Sequence, residues 1–129
     1  MHAALADARK LPADIDAINA HGTGTLVGDR VEALSIATVF GVGPSAPLVY
    51  SSKPLHGHTL GASGAIELAA VIASLRARSL PPTRNLKTPD DLPIRLVHGQ
   101  PRPLRAGASL LSNSFAFGGS NACLIVSAA

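Results

Sequence analysis

Between Ala62 and Arg78 the chain runs Ala-Ser-Gly-Ala-Ile-Glu-Leu-Ala-Ala-Val-Ile-Ala-Ser-Leu-Arg-Ala-Arg, with no proline and one acidic residue, Glu67. A helix over 62–78 with that composition is apolar nearly all round, so it is expected to be buried rather than to lie on the surface. Its most apolar part, Ala65 to Leu75, is interrupted by Glu67 and falls short of the about 20 residues that a membrane span needs. A carboxylate buried inside such a helix requires a partner. Lys53 is the candidate, either as a structural ion pair or as part of a site.

The rest of the chain alternates around this helix. Residues 2–10 are alanine-rich and free of breakers until Pro12, which predicts a helix. Asp14 to Ala20 predicts a short strand, and Asp29 to Phe40 a helix with apolar residues at Val31, Leu34, Ile36, Ala37 and Val39. Pro47 to Ser51 predicts a second strand, ending beside Lys53. Pro81 to Pro93 reads as a long irregular connection and Ile94 to Val97 as a short strand. Ala108 to Asn113 and Ala122 to Ser127 read as adjacent strands. Strand–helix–strand–helix followed by two strands predicts an α/β layer structure with a mixed sheet.

Composition narrows the class. One domain suits 129 residues, and 47% hydrophobic residues with one tyrosine, three phenylalanines and no tryptophan imply an aliphatic core. A single cysteine, Cys123, excludes an internal disulfide and suits a reducing compartment. The N-terminus has no basic region followed by an apolar run and cleavage site, so no secretory signal is read and the expected location is cytoplasmic. The net charge is +3, with the excess late in the chain at Arg76, Arg78, Arg84, Arg95, Arg102 and Arg105. A basic face suits an acidic protein or a phosphate group. Basic and aromatic residues are not interleaved, so nucleic acid is not expected as a partner.

Three constellations carry chemistry. In Asn19-Ala-His-Gly-Thr-Gly-Thr25, His21 sits after a strand and before a helix, where open α/β sheets bind ligands. It reads equally as a satisfied loop histidine. Thr23 and Thr25 either offer hydroxyls to a substrate amide or cap the following helix. In Lys53-Pro-Leu-His-Gly-His58, the second motif, Gly61-Ala-Ser-Gly64 follows and opens a helix whose free N–H groups favour a neutral imidazole at His58. A neutral imidazole can donate a hydrogen bond to a carbonyl oxygen that is gaining charge. The third is Ser112-Asn-Ser-Phe-Ala-Phe-Gly-Gly-Ser-Asn121, in which Phe117, Gly118 and Gly119 either aim backbone N–H groups at a ligand or form a hairpin turn or bulge. His56 with His21 and His58 lacks a completing ligand, so no metal is expected. Neither a nucleophile elbow, a dinucleotide fingerprint nor a P-loop is present. Cys123, within Ala-Cys-Leu-Ile-Val, reads as a buried strand residue rather than a nucleophile.

These three motifs, in this order, resemble the C-terminal part of the β-ketoacyl-acyl carrier protein synthases, condensing enzymes of the thiolase fold. Leu80-Pro-Pro-Thr83 and Asn85-Leu86 also fall where that family has such residues, and the wording is more similar to discrete synthases than to modular polyketide synthase domains. The resemblance covers essentially the whole chain, 1–129. It implies a mixed sheet flanked by helices and decarboxylative Claisen condensation of malonyl-acyl carrier protein with an acyl thioester held on a cysteine. His21 and His58 would donate to the malonyl thioester oxygen and stabilise the enolate, and Lys53, paired with Glu67, would orient them. Thr23 and Thr25 would line the phosphopantetheine channel. Phe117, with Gly118 and Gly119, would gate the acyl pocket and supply half of the oxyanion hole. No cofactor is implied beyond the phosphopantetheine of acyl carrier protein, which is the expected partner of the basic face.

The resemblance also implies absences. The acyl-accepting cysteine belongs to the family's N-terminal half, so this chain alone is expected to be inactive in full condensation. It is expected to need that half, or a homodimer partner, in the intact enzyme. A first, central strand is expected to be lacking ahead of Met1, which would leave two groups of strands with unpaired edges and the 62–78 helix with an exposed apolar side. The alternatives are a non-catalytic partner subunit resembling chain-length factors and the C-terminal half of a split synthase.

Overall fold

The computed structural model describes residues 1–128. Its framework is a five-stranded sheet in which β1 (Ala17–Asn19) is central. β2 (Leu48–Tyr50) pairs parallel on one side of β1, with β4 (Arg95–Leu96) parallel beyond it. On the other side β6 (Ser109–Phe115) pairs parallel with β1, and β7 (Asn121–Ser127) pairs antiparallel with β6. A second, two-stranded sheet joins β3 (Ser79–Leu80) to β5 (Arg102–Pro103).

This topology corrects one expectation. No gap splits the sheet, because β1 is paired on both edges and itself fills the centre. The two groups of strands with unpaired inner edges are therefore not found.

Alternation of side chains sorts the core into two faces. Ala17 and Leu110 face one way, with Val71 and Leu75 of α4 (Ser63–Ala77). Ile18, Val49 and Leu111 face the other, with Leu5 of α1 (His2–Asp7) and Ile36 of α2 (Leu26–Phe40). The sheet is thus flanked by helices on both faces, and every side chain of β1 is buried. That explains why β1 reads as a continuous inward run rather than as an alternating strand.

Helix boundaries follow local chemistry. α1 ends at Asp7 rather than running to Lys10, because Arg9 takes a left-handed φ of 52°. α2 starts three residues earlier than Asp29, with Thr25 at the N-cap, so Gly28 lies inside the helix. Thr25 makes no capping bond. Asp29 reaches back instead, accepting from Gly24 N at 3.1 Å and Thr25 N at 3.3 Å. Lys53 opens a short helix, α3 (Lys53–His56). α4 ends on Arg78 in the left-handed conformation.

The 62–78 helix is buried on one side only, with the exposed apolar side that the resemblance implied. Ser63, Glu67, Val71, Ser74 and Leu75 form a buried stripe on α4, whereas Ala65, Ala69 and Ala73 face outward. One sheet covers one side of a helix. The small alanines make the uncovered side apolar without making it bulky. With the preceding 3-10 turn, Leu60–Ala77 is long and apolar enough to cross a membrane by length and composition, at a mean hydropathy of 1.4. The shorter stretch expected not to span, Ala65 to Leu75, lies inside it. In the fold its buried stripe, including the charge of Glu67, packs onto the sheet. α2 also leaves Leu26, Val27, Val31 and Leu34 exposed.

Leu111→Ala, at a site with no exposure, is expected to lower the unfolding free energy by about 2–5 kcal/mol. Leu124→Ala, half-exposed on β7, is expected to change it by no more than about 0.5 kcal/mol. Urea denaturation midpoints of the two variants check the contrast.

Candidate active site

Parallel pairing decides where the motifs meet. β1, β2 and β6 run in one direction, so His21, Lys53 and the turn after Phe115 emerge at the same edge of the sheet. Asn19, with no exposure, fastens this edge. Its Nδ2 donates to Ser112 Oγ at 3.3 Å, and its Oδ1 accepts from Ser52 N at 3.1 Å. A 3-10 turn follows β6 at Phe117–Gly119, with Gly118 and Gly119 both at positive φ, so the third motif is a hairpin turn.

His21 and His58 are brought together with ring centroids 5.6 Å apart and planes at 89°. His21 also lies 5.8 Å from the ring of Phe115. Lys53 Nζ reaches His21 Nδ1 at 3.4 Å and is ion-paired with Glu67 Oε1. Both members of that pair are buried, Lys53 at 4% exposure and Glu67 at none. A buried pair of this kind is costly to break from one side, because the remaining charge loses its partner. Glu67 on α4 thereby fixes the ammonium, and the ammonium faces the first imidazole.

The hydrogen bonds select tautomers. Lys53 Nζ carries only donors, so His21 Nδ1 accepts and the proton of the neutral ring sits on Nε2. At His58, Leu60 N donates to Nδ1 at 3.3 Å and Ser63 Oγ lies 3.0 Å from the same atom. Its neutral ring therefore also carries the proton on Nε2. Two edge-to-face imidazoles thus offer two N–H donors. His56 behaves differently: its Nδ1 donates to Gly57 O at 2.8 Å, and its Nε2 lies 3.1 Å from Ser52 Oγ. Among the described residues no cluster of three or more His, Cys, Asp or Glu has the placement to hold a metal ion.

The first histidine loop has a second anchor that the motifs did not reveal. Glu32 on α2 is buried and accepts from His21 N at 2.8 Å and Gly22 N at 2.9 Å. Asn113 Nδ2 donates to the same carboxylate at 3.0 Å. A lone acid among Val31, Ala33, Leu34 and Ile36 was the available signal, since a carboxylate in an apolar stretch marks a buried partner. Gly22 is required as glycine. Its φ is +39°, and a Cβ there would meet Ser51 Cβ and Oγ at 2.8 Å.

The remaining predicted residues are placed unevenly. Thr23 lines a cavity of about 400 Å³ beside Gly22, Lys53 and His58, with apolar walls from Ile36, Val49 and Leu92. Thr25 is exposed, 3.4 Å from Thr23 Oγ1. Phe117, Gly118 and Gly119 are exposed at the hairpin tip, and Phe115 rather than Phe117 is the aromatic against His21. The basic face is thinner than its sequence count. Arg95 donates to Ala46 O at 2.6 Å and Arg105 pairs with Asp16, which leaves Arg76, Arg78, Arg84 and Arg102 exposed. Cys123 is part-buried in β7, with its thiol directed at Asn113 Oδ1.

Electrostatics favour a neutral His21. Burial lowers its pKa below the ordinary value, and the Lys53 ammonium lowers it further. Burial pushes the Glu32 carboxyl up, opposed by its bonds to Gly22, Asn113 and His21. It also pushes the Tyr50 hydroxyl up to about 12. Because the folded pKa of His21 lies below its unfolded value, the unfolded chain binds more protons between the two. The contribution of this group is present above about pH 6.5 and is lost as pH falls from there through the folded pKa. An NMR titration of the His21 imidazole is expected to give a midpoint below 6.5, and a midpoint at or above it would contradict this assignment.

The chain is similar to known proteins along nearly its whole length. Residues 1–87 match the family described as Beta-ketoacyl synthase, C-terminal domain. Nodulation protein E of Rhizobium leguminosarum bv. trifolii is 41% identical over 96% of this chain and 31% of its own length. The 3-oxoacyl-[acyl-carrier-protein] synthase 2 of Coxiella burnetii is 39% identical over 98% of this chain and 31% of its own. A beta-ketoacyl synthase from Burkholderia phymatum superposes with a TM-score of 0.92 at 37% identity, over 100% of this chain and 31% of that one. Similar solved structures include complexes. One is a ketosynthase of Xenorhabdus doucetiae with its chain length factor, at TM-score 0.87, 38% identity, and 100% and 32% coverage. Another is a type II PKS acyl-carrier protein with its ketosynthase, at TM-score 0.89, 29% identity, and 99% and 31% coverage. The chain spans just under a third of the length of the relatives it matches. It belongs to the beta-ketoacyl synthase family, in the C-terminal, thiolase-like part of that fold.

Proposed function

We propose that this chain supplies the enolate-stabilising side of a decarboxylative Claisen condensation. The observation that carries this is the pair of imidazoles, each with Nδ1 engaged and Nε2–H left to donate. In the proposed step a malonyl thioester loses carbon dioxide, and the electron pair of the broken C–C bond moves onto the thioester as an enolate. His21 and His58 donate to the oxygen on which that charge develops. The enolate carbon then attacks an acyl thioester, forming the new C–C bond and expelling the thiolate.

The acyl-carrying thiol is assigned to sequence outside these 129 residues. Cys123, the one cysteine here, is directed at Asn113 from within β7. Lys53 serves as a positioning residue, held by Glu67 and facing His21. Its charge favours the neutral ring, whose Nδ1 accepts from the ammonium and whose Nε2–H is left to donate. We assign the substrates to thioesters of acyl carrier protein in fatty acid or related synthesis, with no further cofactor. Thr23, which lines the cavity with His58, is assigned to the phosphopantetheine arm. Arg76, Arg78, Arg84 and Arg102 remain exposed to meet an acidic carrier protein. The exposed Phe117 turn is assigned to closing against the acyl group once the rest of the synthase is present. A non-catalytic partner subunit would have no use for Lys53 and His58 both held against His21.

Incubated with acyl- and malonyl-acyl carrier protein thioesters, the chain alone is expected to yield no 3-oxoacyl product. Joined to a synthase segment carrying the acyl-accepting cysteine, it is expected to decarboxylate malonyl thioester. His58→Ala should then lower kcat about 10²–10³-fold, and His21→Ala by a similar factor. Undiminished decarboxylation in both variants would overturn the reading.

A further inference from the structure

A second chain of hydrogen bonds reaches His21 through its backbone rather than its ring. Glu32 accepts from the N–H groups of His21 and Gly22, and its Oε1 also accepts from Asn113 Nδ2. Asn113 Oδ1 in turn accepts from Cys123 Sγ at 3.2 Å. The orientation of the Asn113 amide follows from donor and acceptor chemistry. A carboxylate has only acceptors, so Nδ2 must face Glu32, and Oδ1 must face the thiol, which can donate. The second Nδ2 hydrogen lies toward Met1 Sδ at 3.9 Å. Asn113 has no exposure, so its amide depends on protein partners.

We propose that Asn113 and Cys123 are positioning residues for His21. The thiol fixes the amide, the amide fixes the Glu32 carboxylate, and the carboxylate holds the two N–H groups from which the imidazole hangs. The path crosses three elements, β7, β6 and α2, before it reaches the loop after β1. Ser at position 123 keeps a donor for Oδ1. Ala removes it and leaves a buried carbonyl oxygen unpaired. The functional meaning of this relay rests on His21 being a working imidazole, but the relay itself is readable without catalysis.

Amide hydrogen exchange on the 129-residue chain provides the test. Val97 N, bonded to Val49 O at 2.7 Å on the far side of β2, is the internal reference. Relative to Val97, C123A is expected to speed exchange at His21 and Gly22 about tenfold, and C123S to hold it within about threefold of the parent. N113A is expected to exceed C123A. Cys123 lies on the outer strand and is not fully buried, so C123A and C123S decide the matter even where N113A fails to fold. Equal exchange in C123A and the parent, or equal acceleration in C123A and C123S, would overturn the proposal. Accelerated exchange in C123A with no condensation by the completed synthase would keep the relay and remove the functional reading. Condensation without accelerated exchange would do the reverse.

Discussion

Everything at the site depends on β1 being hydrogen-bonded to parallel neighbours on both sides. Parallel strands have their C-terminal ends together, so the three segments that follow β1, β2 and β6 are delivered to one edge without any long-range attraction between them. The side chains of β1 make this arrangement unambiguous. Ala17 faces α4, Ile18 faces α1 and α2, and Asn19 spends its amide on the two neighbouring segments. A slip of one residue would turn Asn19 to the opposite face and bring Ile18 into its row.

Two buried carboxylates then divide the work from opposite faces. Glu67 comes from α4 and acts on the ring of His21 through Lys53. Glu32 comes from α2 and acts on its backbone. Neither helix makes a capping or surface use of these acids, and both are placed on the stripe that meets the sheet. Acids in such positions cost stability unless satisfied. Glu32 meets that condition with three donors. Glu67 meets it with a single ammonium, and its second oxygen has no protein partner among the described residues.

Much of this was legible in the sequence, for physical reasons that can be named. The order of strands and helices followed from period and punctuation, and the Lys53–Glu67 pair from a lone acid in an apolar helix. The convergence of His21 and His58 followed from motif order and the family resemblance. Phe115 and Asn113 were not singled out because they meet His21 and Glu32 from the far end of the chain, and Glu32 was not because it acts by accepting from backbone N–H groups, which no side-chain motif records. Composition alone implied a fully buried 62–78 helix, because it reports how apolar a helix is and not how many layers cover it, whereas the resemblance implied the exposed apolar side that is found. The supposed gap at the sheet centre came from placing a strand by analogy, whereas the residues that fill it, Ala17 to Asn19, were already visible as a strand.

The bonds that complete the histidine loop join residues far apart along the chain. Asn19 and Ser112 are separated by 93 positions, and Glu32 and Asn113 by 81. Closing such contacts is slow, because the loop entropy is lost before the bond returns anything. β1, α2 and β2, with the Glu32 bonds to the His21 loop, draw on local contacts, whereas the Ser112 bond to Asn19 and the Asn113 bond to Glu32 wait until β6 docks beside β1. During synthesis the N-terminal motifs leave the ribosome long before Ser112 and Asn113 exist. The order of chain growth therefore leaves the two bonds that tie Asn19 and Glu32 into the sheet to the C-terminal hairpin.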